Sequence, residues 1–195
     1  MGTLVEDIST GSSSSSLITR LKARDPDAWR RLTRTYGPLV YGWGRRSGLQ
    51  HGDAADVAQD VFQAVAQHID SFRRERRESF HGWLWSIARS KLNDLYRRQS
   101  QEPPAPGGTS FLQQIEQLPE TPSATEFSAE VPGLARRALA LLETDFEEVT
   151  WRAFWRTAVD RQPAAVVAAE LGLSVSAVYT AKSRVLARLR EELID

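Results

Sequence analysis

Three carboxylates, Asp53, Asp56 and Asp60, recur at helical spacing, with Gln59 and Gln63 beside them and His51 just upstream. Positions i, i+3 and i+7 share one helix face, so this set can present acid to a cation or to a protein. As a metal site it lacks the further ligands that complete a coordination sphere, and a solvated acidic face is the expectation. Beyond it the chemistry reverses. Arg73, Arg74, Arg76 and Arg77 lead into Phe80-His81-Gly82-Trp83-Leu84-Trp85, followed by Arg89, Lys91, Asn93, Arg97 and Arg98. Cations interleaved with aromatic rings suit melted nucleic acid, where the charges track phosphates and the rings receive unstacked bases. One acidic and one basic, aromatic surface imply two macromolecular partners. No paired general acid and base and no phosphate-cradling glycine loop is present, so an enzyme, for instance a nuclease using the aspartates, is disfavoured. His68 and His81 are isolated and receive no catalytic role. With no cysteine in the chain, thiolate metal sites and disulfides are excluded, and no cofactor is expected.

A third constellation lies near the C-terminus. Pro163 precedes the alanine-rich stretch Ala164 to Leu171, then Gly172-Leu173-Ser174, then a second amphipathic run. Gly172 suits the left-handed residue of a tight turn, Leu173 plugs the angle between two helices, and Ser174 can cap the next one. Val178, Val185 and Leu189 form that helix's buried stripe, with Leu186 beside it. The pattern predicts a helix-turn-helix, whose second helix offers side chains to the major groove. Ser174, Ser176, Ala177, Tyr179, Thr180, Lys182, Ser183, Arg184 and Arg188 are the candidates for phosphate positioning and base reading.

The elements that must position these groups read almost entirely as helix. Ser16 caps a first helix to about Arg24. Asp25-Pro26 opens a second, which Gly37-Pro38 is expected to interrupt before it resumes to about Ser47. Gly52-Asp53 starts an amphipathic helix with Val57, Val61, Phe62, Val65 and Ile69 on its apolar side. Another runs from Phe80 to Arg98, with Trp83, Leu84, Ile87, Leu92 and Leu95 expected inward and Trp85 half exposed or against the preceding loop. Trp29, Tyr36, Tyr41 and Trp43 are expected in the core. Trp151, Phe154 and Trp155 add weight to the helix before the helix-turn-helix.

The chain of 195 residues has a formal net charge of zero, which conceals a division. Residues 17–100 carry 16 Lys/Arg against 9 Asp/Glu, residues 101–130 carry five glutamates and no cation, and residues 131–195 carry nine of each. A basic unit suggests a polyanion partner. The expected organisation is a disordered serine-rich tail (1–16), a helical domain (17–100), an acidic Pro/Gly-rich flexible linker (101–130) and a helix-turn-helix domain (131–195). Phe111, Leu112 and Ile115 could dock within the linker. The fold class is all-α. No apolar run approaches the roughly 20 residues that span a bilayer and no secretory signal is recognised, so a cytoplasmic protein without membrane insertion is expected.

Asp53-Ala54-Ala55-Asp56-Val57-Ala58-Gln59-Asp60-Val61-Phe62, the segment from Ser79 to Arg98, and Ala168 to Leu189 together resemble the extracytoplasmic function (ECF) sigma factors of bacterial RNA polymerase. The resemblance covers nearly everything from Leu17 to Leu193. It implies that Asp53, Asp56, Gln59, Asp60 and Gln63 bind the clamp of the largest polymerase subunit. It further implies that Arg73, Arg74, Arg76, Arg77, Trp85, Arg89, Lys91, Asn93, Arg97 and Arg98 take the melted −10 element, and that the helix beginning at Ser174 reads −35 duplex. The flap of the second largest subunit and promoter DNA are implied partners, and the family often works with an anti-sigma factor. Tyr179 and Ala181 stand where the family often has a basic residue. The rival reading is a stand-alone helix-turn-helix regulator that dimerises on palindromic duplex.

Overall fold

The computed structural model describes residues 16–72, 79–101 and 124–193, and the regular elements among them are all helical. The tail before Ser16, the arginine run with Arg73, Arg74, Arg76 and Arg77, and most of the expected linker with Phe111, Leu112 and Ile115 lie outside the described residues.

Local signals set the first boundaries. Helix α1 (Leu17–Lys22) begins where Ser16 Oγ accepts the N–H of Thr19. Helix α2 (Pro26–Arg46) begins where Asp25 accepts the N–H of Asp27, with Pro26 in the first turn. Arg20, 2.7 Å away, and that N–H hold the Asp25 carboxyl below its usual range. Contrary to the expected break, α2 continues through Gly37-Pro38. An interior proline costs about 3 kcal/mol. Beyond it Leu39, Val40 and Trp43 are buried with Leu32 and Tyr36 in the same core, and each such burial contributes roughly 1.5–3 kcal/mol. Packing therefore outweighs the lost helical bond.

Helix α3 (His51–His68) turns Ala54, Val57, Val61 and Val65 into that core. Its approach to α2 needs Gly44, where an added Cβ would meet the Ala54 Cβ at 3.2 Å. Helix α4 (Phe80–Gln101) closes the unit with Phe80, His81, Leu84, Trp85, Ala88, Leu92 and Tyr96 buried. This stripe is turned about one residue from the expected one, leaving Trp83, Ile87 and Leu95 only partly buried. Trp85 packs edge-on against Trp43 at 5.0 Å, while Trp83 lies on Phe72 and Phe80. Tyr96 donates to the Ser47 carbonyl at 2.5 Å, which gives its buried hydroxyl a partner.

Helix α5 (Ala124–Leu142) starts inside the segment expected to be linker. Helix α6 (Glu148–Phe154) continues as a π-helical turn over Trp155–Val159. Helices α7 (Ala164–Leu171) and α8 (Val175–Leu193) follow. These elements share two small cores, one of Ala153, Val167, Ala168, Val178 and Ala181, the other of Leu142, Trp151, Phe154 and Val185. They also rest on α2: Leu134 is buried in the first unit's core and Leu193 packs on it. Among the described residues no single helix is long and apolar enough to cross a membrane.

Candidate functional site

Three separate faces carry the candidate residues, and each follows from the phase of its helix. On α3 the buried positions take one side. Asp53, Asp56, Gln59, Asp60 and Gln63 fall within an arc of about 120° on the other, at 100° per residue. Asp53 is half-buried and the other four are exposed. His51 is turned to Tyr41, whose hydroxyl lies 2.5 Å from its Nδ1, and among the described residues no three His, Asp or Glu side chains converge as metal ligands. The face offers acid and amide groups to a macromolecular surface.

Helix α4 divides its polar candidates. Arg89, Asn93 and Arg97 line one cleft of about 240 Å³ with Ser86, Ser90 and Asp94. Within it the Asn93 Oδ1 and Arg89 Nε are buried without a protein hydrogen bond, so the cleft holds donor and acceptor capacity for a polar ligand. Lys91 and Arg98 come out on the far flank, about 160° and 140° from Asn93 by the helical repeat. Trp85, expected half exposed or against the preceding loop and placed among the −10 DNA residues, is 5% exposed and enclosed by the core; its indole face is covered, so it offers no platform to a base. The remaining four arginines of this set, Arg73, Arg74, Arg76 and Arg77, lie outside the described residues.

The C-terminal face is built by the turn. Gly172 adopts φ 66° and ψ 30° and ends α7, and Leu173 N–H returns to the Ala168 carbonyl at 2.9 Å. Ser174 Oγ then accepts the Ala177 N–H at 3.1 Å, capping α8. The chain bends by 104° between α7 and α8, within the range of helix-turn-helix units. Val178, Ala181 and Val185 face the core. Ser174, Ser176, Tyr179, Thr180, Ser183 and Arg184 stand exposed, with Tyr179 at 60%, while Ala177 and Lys182 are half-buried at the edges. Arg184 has no ion pair among the described residues. Arg188, one turn on, is engaged instead. It pairs with Glu192 at 2.8 Å and Glu191 at 3.1 Å and lies 3.8 Å from Asp145. Half-buried among three carboxylates, its charge is engaged within the protein.

Sequence reasoning missed a further cluster where α5 and the end of α8 meet α2. The Glu130 carboxylate accepts from the Trp43 indole at 3.0 Å and from Arg46, and lies 3.4 Å from His81 Nε2. Burial pushes the His81 imidazole down to about 4. Arg31 bridges Asp145 at 2.6 Å and Glu192 at 3.1 Å; the Asp145 bond and both carboxylate charges hold its guanidinium above its usual value. No spacing rule could have found this cluster, because its members come from positions 31 to 192.

Among the described residues, a helix-turn-helix-like corner and a polar, cationic helix make an arrangement suited to binding nucleic acid. Comparison with known proteins narrows the reading. Residues 32–102 match the sigma-70 region 2 family model. The chain is 28% identical over 170 residues to the ECF RNA polymerase sigma factor RpoE of Cereibacter sphaeroides, covering 87% of this chain and 88% of that protein. It is also 28% identical over 192 residues to the ECF RNA polymerase sigma factor SigD of Mycobacterium tuberculosis, covering 92% and 83%. Among solved structures it is similar to CnrH in complex with the cytosolic domain of CnrY, at 25% identity, covering 89% of this chain and 92% of that one, with a TM-score of 0.38. Residues 32–102 thus match a sigma-70 region 2, and the chain over most of its length is similar to ECF sigma factors.

Proposed function

We propose that the chain is an ECF sigma factor, a transcription initiation factor and not an enzyme, which binds the polymerase clamp through the acidic face of α3, receives the melted −10 strand on α4, and reads −35 duplex with α8. The observation that carries the reading is the capped 104° corner at Gly172-Leu173-Ser174. It presents hydroxyls and a guanidinium, Arg184, that no carboxylate among the described residues pairs with. Hydroxyls and cations of this kind position phosphates and read base edges. On α4 the supporting feature is the cleft of Arg89, Asn93 and Arg97, whose polar atoms would meet a flipped base or its phosphate. The basic run Arg73, Arg74, Arg76 and Arg77 would extend that path, with Lys91 and Arg98 on the flank serving the backbone. The flap of the second largest subunit would seat the C-terminal unit, and an anti-sigma factor would be a further cytoplasmic partner. In this division of labour residues 17–100 and 131–195 act as the two binding units.

Arg184→Ala tests the −35 assignment. Loss of one phosphate contact should lower duplex affinity and reduce the salt slope by about one. Arg188→Ala should leave that slope where it is, because its charge is already neutralised by Glu191, Glu192 and Asp145. Equal slopes for wild type and Arg184→Ala would place Arg184 off the DNA.

A further inference from the structure

The exposed side of α8 divides into three strips at 100° per residue. Val175 and Tyr179, one turn apart, form an apolar strip and stand 42% and 60% exposed. Ser176, Thr180 and Ser183 form the middle. Arg184 stands on the opposite flank, about 140° from Tyr179. The first cations of the helix, Lys182 and Arg184, come only in its third turn, about 10 Å or more along the axis from Val175. Exposed apolar side chains scattered singly need no explanation. These two adjoin each other at the end of the helix that a helix-turn-helix brings to base edges.

The hydroxyls at this end have little donor capacity left. Ser174 Oγ accepts the Ala177 N–H at 3.1 Å and shares a hydrogen bond with Ser176 Oγ at 2.9 Å, which uses one of their two protons. Thr180 Oγ1 donates to the Ser176 carbonyl at 2.9 Å. A hydroxyl has one proton to give, so of Ser174, Ser176 and Thr180 a single donor remains for DNA. Arginine or lysine on guanine is the commonest specific contact in a major groove, and the first two turns of α8 contain neither. What stands uncommitted there is the isopropyl group of Val175 and the phenol of Tyr179, whose hydroxyl has no hydrogen-bond partner among the described residues. The base feature that an apolar side chain distinguishes in the major groove is the 5-methyl group of thymine.

We propose that Val175 and Tyr179 are specificity residues that recognise thymine methyl groups, so that the −35 duplex this chain selects is marked by thymine where the first two turns of α8 meet it. The inference rests on the −35 reading above and deepens it. It divides the work along the helix: Arg184, on the other flank, holds a phosphate and sets the register, while the apolar strip specifies sequence. Tyr179 contributes through its ring, so phenylalanine can replace it and alanine cannot.

Thymine and uracil differ only by this methyl group. The full chain, reconstituted with bacterial core RNA polymerase and recovered by a tag on the chain, first selects duplexes from a randomised library. The best duplex is then titrated in two forms, one with thymine and one with uracil in its place. The ratio of the two affinities for wild type should exceed that for Val175→Ala and Tyr179→Ala combined by about fourfold for each methyl read. Both positions are exposed, so helical content by circular dichroism should not change. Tyr179→Phe should keep the wild-type ratio. Arg184→Ala should weaken both forms equally and leave the ratio where it is. An identical ratio in wild type and the double variant, with Arg184→Ala still weakening binding, would overturn the methyl contact and leave the −35 assignment standing. If no duplex is enriched, or if neither Arg184→Ala nor the double variant changes binding, α8 is off the DNA and both readings fall.

Discussion

Arg184 and Arg188 stand one turn apart on α8, and their neighbours assign them different work. Arg184 is exposed on the face with Ser176 and Thr180, while Arg188 is surrounded by Asp145, Glu191 and Glu192. Side-chain type alone could not have separated them. The same holds for the carboxylates: Asp56 and Asp60 point outward, whereas Glu192 is enclosed by cations. Charge reversal of Asp56 and Asp60 to lysine should weaken binding to core polymerase by about tenfold or more, about 1.4 kcal/mol, and leave −35 duplex binding intact. Competitive titration against the core enzyme measures this, and an unchanged affinity removes those residues from the contact. His81 supplies a pH signature. Its folded value of about 4 lies below the ordinary 6.5, so the unfolded chain takes up the proton first. The stability that its neutral form contributes is complete above pH 6.5 and is lost as pH falls toward 4. The loss amounts to about 3 kcal/mol at most, at 1.36 kcal/mol per unit. Urea midpoints measured between pH 7 and 5 should therefore decline, and His81→Gln should flatten that decline.

At the scale of elements, the turn at Gly172 concentrates the most function in the fewest residues. Its φ of 66° is a conformation that a Cβ disfavours by roughly 1–2 kcal/mol. Gly172→Ala should lower the stability of the C-terminal unit by that amount and weaken −35 duplex binding in step, since α8 is aimed by this corner. Thermal unfolding followed beside duplex titration checks it; weakened binding with no loss of stability would point to a direct contact instead. This corner was legible in the sequence, as were the Ser16 and Asp25-Pro26 starts, because capping depends on neighbours two or three residues away. Two features were not. The continuity of α2 through Pro38 depends on a core that residues before and after the proline share. The rotation of α4 that buries Trp85 and leaves Trp83 at the edge depends on Trp43, Phe72 and Tyr36, all supplied by earlier elements. An aromatic-rich stretch satisfies several helical phases, and only its tertiary partners choose among them.

For the whole molecule, zero net charge hides a sorting of charge by surface. Acid is gathered on one face of α3, cations and amides on α4, and hydroxyls with the guanidinium of Arg184 on α8, while the ion pairs of Glu130, Arg31 and Glu192 hold the halves together. The proposed function, engaging polymerase and two stretches of promoter, asks for separate surfaces, and this distribution provides them. In the proposed function the chain works as a polymerase subunit and does not bind promoters alone. Sizing chromatography of the purified protein with bacterial core RNA polymerase, challenged with the housekeeping sigma factor, tests it most directly. The predicted result is a one-to-one complex that the competitor displaces. A chain that does not join the core, elutes as a dimer and retards duplex DNA by itself would contradict it.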